Sequence, residues 1–334
     1  MAGLFEINQV AKREDLLDLL TRVDEKATPF MSLVNKGATP RNTYIEWPVD
    51  NYDAPQLGGV VDGTDVSTYG NPAENRALLS SYLQTFRKTA KVSRLAQEVS
   101  DVAGVSDEIA EAIAKVGVEL LRNIESTCLS DQEHQADDGT NPYLLRGLGV
   151  WIRDTANIGA QVTHQVPADY RPAAGQYITT GTASLTETSI QSVLQSIWSS
   201  TGMMGDYKLF CDATLRRAFT DFTRTIATAG YSSRNFDFAG DAKKVSNSTT
   251  IFEGDFGTVE VIADNFIGYN SAGTSQTAGR GYLLDMDKID MRMNKNPTVE
   301  RFEDQGGGER FMIEARTALQ CRNPIGLAQF NPPA

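Results

Sequence analysis

The longest helical period in the chain runs from Ser106 to Gln132, SDEIAEAIAKVGVELLRNIESTCLSDQ. Ile109, Ile113, Val116, Leu120 and Ile124 recur at spacings of four and three, while Glu108, Glu111, Lys115, Glu119, Arg122 and Glu125 take the other sides. A single apolar stripe at helical spacing predicts a single buried face. Ser106 is placed to cap the first turn, and Asp107 and Glu108 set negative charge against the positive end of the helix dipole. At about 1.5 Å per residue this helix is roughly 40 Å long, about twice the usual globular length. The rest of the chain must pack along it or project from its ends.

Elsewhere the period is two. Phe311, Ile313, Ala315, Thr317, Leu319 and Cys321 alternate with Met312, Glu314, Arg316, Ala318, Gln320 and Arg322, which predicts a long strand with one apolar and one mostly polar face, ended by Asn323 and Pro324. Ala77 to Arg94 also reads as extended, with Tyr44 to Val49 as its antiparallel partner. Thr249–Glu253 and Thr258–Ala263 flank Gly254-Asp255-Phe256-Gly257 as a hairpin, and Tyr207–Cys211, Tyr282–Asp285 and Ile289–Met293 are shorter strands. Further helices are expected from Glu6 to Asp24, stopped at Thr28-Pro29-Phe30, and from a Ser184/Glu187 capping box through Ile190, Val193, Leu194, Ile197 and Trp198 to Gly202. Asp212 is placed to cap another, carrying Leu215, Phe219, Phe222 and Ile226 and ending by Gly230. The mixture is α+β.

Between Gly37 and Asn75 regular pattern is scarce. Pro55, Gly58, Gly59, Gly63, Gly70 and Pro72 separate isolated apolar residues that cannot build one face. A segment of this kind is improbable inside a compact domain and ordinary where it packs on a neighbour. Residues 39–94 therefore read as a hairpin arm. Its outer part carries Asp50, Asp53, Asp62 and Asp65, and Arg87, Lys88, Lys91 and Arg94 lie toward its base. These eight are the candidate inter-subunit contacts, with the acids of one copy meeting the cations of the next.

Composition narrows the chemistry. The 334 residues are 40% hydrophobic, enough for a real core, and the net charge of −12 without a basic run argues against a duplex-binding surface. Cys128, Cys211 and Cys321 are widely separated and fit buried thiols of a reducing compartment. The first twenty residues hold no uninterrupted apolar stretch for a signal or membrane span, so folding in a cytoplasm is expected. No phosphate loop, HExxH or GxSxG is present, so no catalytic, cofactor-binding or metal residue is assigned. Gly306-Gly307-Gly308 precede a strand and read as a flexible turn, and His134, in a polar tract, reads as solvated; His134 and His164 are too few for a metal site. Asp285, Asp287 and Asp290 resemble the start of a calcium loop, but Lys288 and Ile289 stand where ligand and glycine are needed.

Taken in order, these parts resemble the major capsid proteins of tailed phages with the HK97 fold, and are most similar to the family typified by phage SU10. The matching residues are Thr28-Pro29-Phe30, Glu46-Trp47 with Asp50, Gly254 to Val259 with Val261-Ile262, Leu283-Leu284-Asp285, and Glu314 to Pro324. The resemblance implies an N-terminal arm over 1–38, an E-loop hairpin over 39–94 and a peripheral domain over 95–183 around the spine helix. A mixed axial domain over 184–305 and a return strand with tail over 306–334 would follow. It implies a non-enzymatic shell subunit that assembles through hexamers and pentamers into an icosahedral capsid enclosing DNA in a bacterial cytoplasm. Partners would be a separate scaffolding protein, since the chain starts almost at the arm, with a portal and a decoration protein. Some relatives crosslink an E-loop lysine to a distant asparagine; Lys88 and Lys91 lie toward the base of the arm, so that chemistry is not carried over. An encapsulin-like compartment shell, a virion decoration protein and a soluble α+β hydrolase are the competing readings.

Overall fold

The computed structural model describes residues 27–99, 107–153, 166–178, 186–224, 250–269 and 278–330. The sequence-predicted helix at 6–24, Ser106, His164, Ser184, and residues 226–249 lie outside these.

Pro29–Leu33 (α1) opens the described chain. The helix expected to stop at Thr28-Pro29-Phe30 lies outside the described residues; what the described chain shows is that a short helix starts here, with Pro29 in its first turn. Proline's missing N–H is harmless at that position, where helical N–H groups lack partners anyway. Asn35–Lys36 (β1) follows, then Tyr44–Val49 (β2) and Ala77–Tyr82 (β3), which pair antiparallel from Tyr44 opposite Tyr82 to Val49 opposite Ala77. The extended run continues as Gln84–Val92 (β4), but β4 leaves the hairpin. It pairs with a strand from the far end of the chain, so within residues 39–94 only β2 and β3 pair with one another. Arg94–Val99 (α2) comes next.

The long helix is Glu108–Cys128 (α3), 21 residues, with Asp107 as its cap: its side chain accepts from the N–H groups of Ile109 and Ala110. The buried stripe is Ile109, Val116, Leu120, Ile124 and Cys128, as predicted apart from a half-buried Ile113. Two expectations fail. The helix stops short of Gln132 because Asp131 turns away to ion-pair with Arg280 and Arg153, and Gln132 donates to the Leu145 carbonyl. Glu125, expected on an outer side, has no exposed surface. Beyond α3 the turn Leu148–Trp151 (α4) is wholly buried.

Tyr177–Ile178 (β5) precedes Glu187–Thr201 (α5), whose N-cap is Thr186, accepting from the Ser189 N–H, in place of the expected Ser184. Ile190, Val193, Leu194 and Ile197 are buried, Trp198 is 40% exposed, and Gly202 closes the helix at φ +68. Gly205–Cys211 (β6) then leads into Ala213–Arg224 (α6), which Asp212 caps through the Leu215 N–H as predicted. Ile251–Gly254 (β7) and Gly257–Ala263 (β8) form the expected hairpin, and Gly281–Leu284 (β9) crosses between β6 and the chain's last strand.

The short strand expected at 289–293 is in fact Ile289–Phe302 (β10), 14 residues, and it pairs along Glu309–Cys321 (β11). The boundary expected at 305/306 falls between these two paired strands, and β10 shares a sheet with β11. The resulting four-stranded sheet has the order β1-β10-β11-β4, and α3 lies across β4 and β11. Finally Ala328–Phe330 (β12) enters the other sheet, of order β5-β12-β9-β6-β8-β7.

That six-stranded sheet explains how the molecule holds together. Tyr207, Leu209, Val259, Val261 and Leu283 point to one face and pack under α5 and α6. Phe210, Tyr282 and Leu284, one residue out of phase, point to the other and join the core of α3 and the four-stranded sheet. Alternation along each strand thus serves two cores. Phe210 meets Phe30 of α1 edge-on at 5.6 Å.

Candidate assembly surfaces

The arm has a buried base and an open tip. In β2 and β3, Ile45, Trp47 and Leu79 are buried, the Trp47 indole donates to the Cys321 carbonyl at 3.0 Å, and its ring lies 5.7 Å from Trp151. Between them residues 50–72 are exposed throughout and carry no strand or helix. Tyr52, Leu57, Val60, Val61, Val66 and Tyr69 are each at least 70% exposed. The Tyr170 hydroxyl donates to the Asn75 carbonyl at 2.6 Å and fixes where the tip begins.

The eight sequence-predicted contact residues fall into two groups. Of the acids, Asp50 pairs with Arg76 at 2.9 Å and Asp53 accepts from the Asn75 amide at 2.6 Å, both within the arm; Asp62 and Asp65 are fully open. Of the cations, strand alternation puts Arg87 and Lys91 on the sheet face away from α3 and Lys88 on the face beneath it, where Lys88 pairs with Glu119 at 3.4 Å. Arg94 pairs with Asp304 at 2.6 Å. The structure therefore brings no predicted acid to a predicted cation within one subunit.

The sheet face bearing Arg87 holds a charge cluster that alternation had marked only as polar. Glu314 is 2% exposed and is approached by Arg87 at 2.9 Å, Arg316 at 2.8 Å and Lys295 at 3.6 Å. The hydrogen bond from Arg87, aided by the Arg316 and Lys295 charges, holds its carboxyl below the usual carboxylate range. Lys295 also pairs with Glu300 at 2.5 Å, so three cations meet two anions and the cluster keeps one net positive charge on a chain whose net charge is −12.

Other charged groups are buried where the sequence gave no sign. His134, expected in solvent, is 6% exposed and lies between Glu133 and the Arg146 guanidinium, which stacks over the Trp151 ring at 4.7 Å. Burial lowers the Arg146 pKa, and the Glu133 carboxylate opposes that shift. Arg280, 1% exposed, reaches Asp131 at 2.5 Å. The Gly306-Gly308 turn is not loose: all three N–H groups converge on Asp304 Oδ1 at 2.8 to 3.1 Å. Asp285 accepts from the Asp287 N–H and Asp290 pairs with Arg322. Among the described residues no cluster has the make-up of a metal site. Cys128, Cys211 and Cys321 are buried thiols, the state expected of them.

A long helix across a four-stranded sheet, a second sheet sharing its core, and a projecting two-stranded arm define a shell subunit of the HK97-like capsid fold. Solved structures carry the same architecture. The capsid asymmetric unit of cyanophage A-1(L) aligns at TM-score 0.65 and 16% identity, covering 98% of this chain and 99% of that one. The capsid of cyanophage P-SCSP1u aligns at 0.63 and 11%, covering 98% and 96%, and Mycobacterium phage Che8 at 0.57 and 14%, covering 98% and 99%. No curated protein sequence matches. The chain belongs to the SU10 major capsid protein family, which it matches over residues 4–331. It is a structural protein of the phage capsid and not an enzyme.

Proposed function

We propose that copies of this chain join as hexamers and pentamers into a closed icosahedral shell around phage DNA, each arm tip lying on a neighbouring copy. The observation that carries this reading is the contrast within the arm: six large apolar side chains stand open on a tip whose supporting strands are buried in their own subunit. Exposed apolar surface of this kind marks an interaction site, and a segment without a core of its own orders when a partner covers it. Asp50, Asp53, Asp62 and Asp65 then meet cations of the adjacent copy. Arg87 and Lys91 face outward on the positive sheet and are the best-placed candidates; Lys88, on the opposite face, and Arg94 are paired with Glu119 and Asp304 of their own subunit and would have to exchange those partners. DNA is enclosed without sequence-specific contacts. Assembly takes place in the bacterial cytoplasm with a scaffolding protein and a portal, and a decoration protein is a further partner of such a shell.

Negative-stain microscopy of the expressed protein tests this. Uniform shells or capsomer rings are expected from the full chain. Deleting Gln56 to Asn71 should leave a folded subunit that forms no stable shell. Normal shells from the deletion would show that the tip is dispensable and the overlap reading wrong.

A further inference from the structure

Both carboxylate oxygens of Glu125 accept backbone N–H groups from α1, Phe30 at 2.8 Å and Met31 at 2.8 Å. On its other side this carboxyl meets that of Asp264, the residue that follows β8, which is 3% exposed. Asp264 Oδ1 accepts from the Phe266 N–H at 2.8 Å, whereas its buried Oδ2 has no N–H or O–H donor among the described residues. Two ionised carboxylates only accept, so they cannot bond to one another. One proton between them turns one carboxyl into a donor, gives Oδ2 a partner and removes a like-charge repulsion that no cation among the described residues is seen to offset.

We propose that Glu125 and Asp264 share one proton at neutral pH, and that this acid pair is a latch fastening α1 to α3 and to the end of β8, opened when the proton leaves to water. The groups that face the pair fit this. α1 brings no ionisable side chain. From α3 come Cys128, one turn on, and Arg122, which stacks over Phe266 at 5.3 Å. From the end of β6 and the start of α6 come Cys211, Asp212 and Arg216. Burial pushes the Cys211 thiol up to about 12, so it stays neutral, and Arg216 is committed to the Val261 carbonyl. Burial, reinforced by the Asp264 charge, raises Glu125 to about 8. Asp264 also lines a cavity of about 500 Å³ with Pro29, Asp212 and Asn265, which gives the proton a route out. Because α1 follows directly on the N-terminal segment, the latch sets how that segment is tethered to the joint between the two sheets.

Hydrogen exchange at the Phe30 and Met31 amides of the full-length chain tests the latch. Their protection factors, corrected for intrinsic exchange, should fall about tenfold per pH unit between roughly pH 5 and 8 and level off above. Asp264→Asn replaces the shared proton with a permanent N–H donor to Glu125, so protection should persist while its pH dependence disappears. Equal protection at about pH 5.5 and 8.5, or an unchanged slope in Asp264→Asn, would overturn the proposal. Should that variant not fold, the infrared spectrum of the parent decides. A carbonyl band of a protonated carboxyl at pH 7 that vanishes above about pH 8.5 is expected, and its absence at pH 7 would sink the shared proton.

Discussion

Between Tyr44 and Tyr82 the chain passes from core to open surface and back. In the base strands Ile45, Trp47, Leu79 and Ser81 are covered, at 0% to 6% exposure, and Ser80 between the last two is covered as well. In the tip, Leu57 and Tyr52 are almost as bare as in an extended peptide. Apolar content does not separate the two ends; arrangement does. Where apolar residues alternate, a strand collects them on one face and a core can cover it. Where prolines and glycines scatter them, no local structure gathers them, and the ordering entropy must be offset by another molecule. The contrast is sharpest under substitution. Trp47→Ala removes a buried indole and its hydrogen bond and should cost about 3–5 kcal/mol by chemical unfolding, whereas Tyr69→Ala should change subunit stability by no more than about 0.5 kcal/mol. Comparable losses at the two sites would place the tip on its own core.

The spine sits at the same extreme as the base. Leu120 has no exposed surface, and Leu120→Ala should cost about 2–5 kcal/mol through lost burial and a residual cavity. A parent-like denaturant midpoint for this variant would contradict the packing of α3 on its sheet.

What was legible in the sequence follows from how many neighbours decide a residue's place. The α3 stripe, the β7–β8 hairpin and the β2–β3 pairing depend on local period and could be read directly. Glu125 could not, because it lies just off the stripe beside Cys128, and only α1 and Asp264 from distant parts of the chain make room for a carboxyl there. The polar face of β11 failed for the same reason: Glu314 is covered by the cations that neutralise it, two of which come from β4 and β10. The partners of β4 and β12 are set by long-range pairing, and β12, at three residues, is too short to show a period.

Glu314 and Glu125 also predict opposite responses to pH. Arg87, Arg316 and Lys295 depress the Glu314 pKa, so its contribution is present above the ordinary carboxylate range and is lost as pH falls through its folded value. Glu125 is raised to about 8, so its contribution is full below the ordinary value and is lost as pH rises toward 8. Acid should therefore loosen the sheet carrying β4, beside the arm's base, and leave the tip as open as before. Melting temperatures across pH should show Glu314→Gln with a flatter acid limb and an unchanged alkaline limb. An identical acid limb would remove Glu314 from the account.

Proteolysis compares the same two ends without a mutation. Exposed segments lacking regular structure are where proteases cut, so unassembled protein should be nicked first between Gln56 and Asn75, with β2 and β3 intact. Assembled shells should resist at that site. Equal protection before and after assembly would mean that the tip gains no cover from a neighbour.

The weakest expected effect is electrostatic, and it separates the acids of the tip from its apolar residues. The Asp50–Arg76 pair, with side chains 46% and 63% exposed, is of a kind worth about 0–1 kcal/mol, so Arg76→Ala should barely move subunit stability. Between subunits the same charges act differently. A net charge of −12 on every copy opposes association at long range, and a Debye length of about 8 Å at physiological salt screens that repulsion before it screens pairs in contact. Light scattering during assembly should accordingly rise as salt is first added and fall at high salt, where contacts between the tip acids and the Arg87 face weaken. Replacing Asp62 and Asp65 by Asn should remove the high-salt decline while leaving the initial rise, since net repulsion is only slightly reduced. A curve that climbs without turning over in the parent would assign tip binding to Leu57, Tyr69 and their apolar neighbours alone, because burial of apolar surface is not weakened by salt.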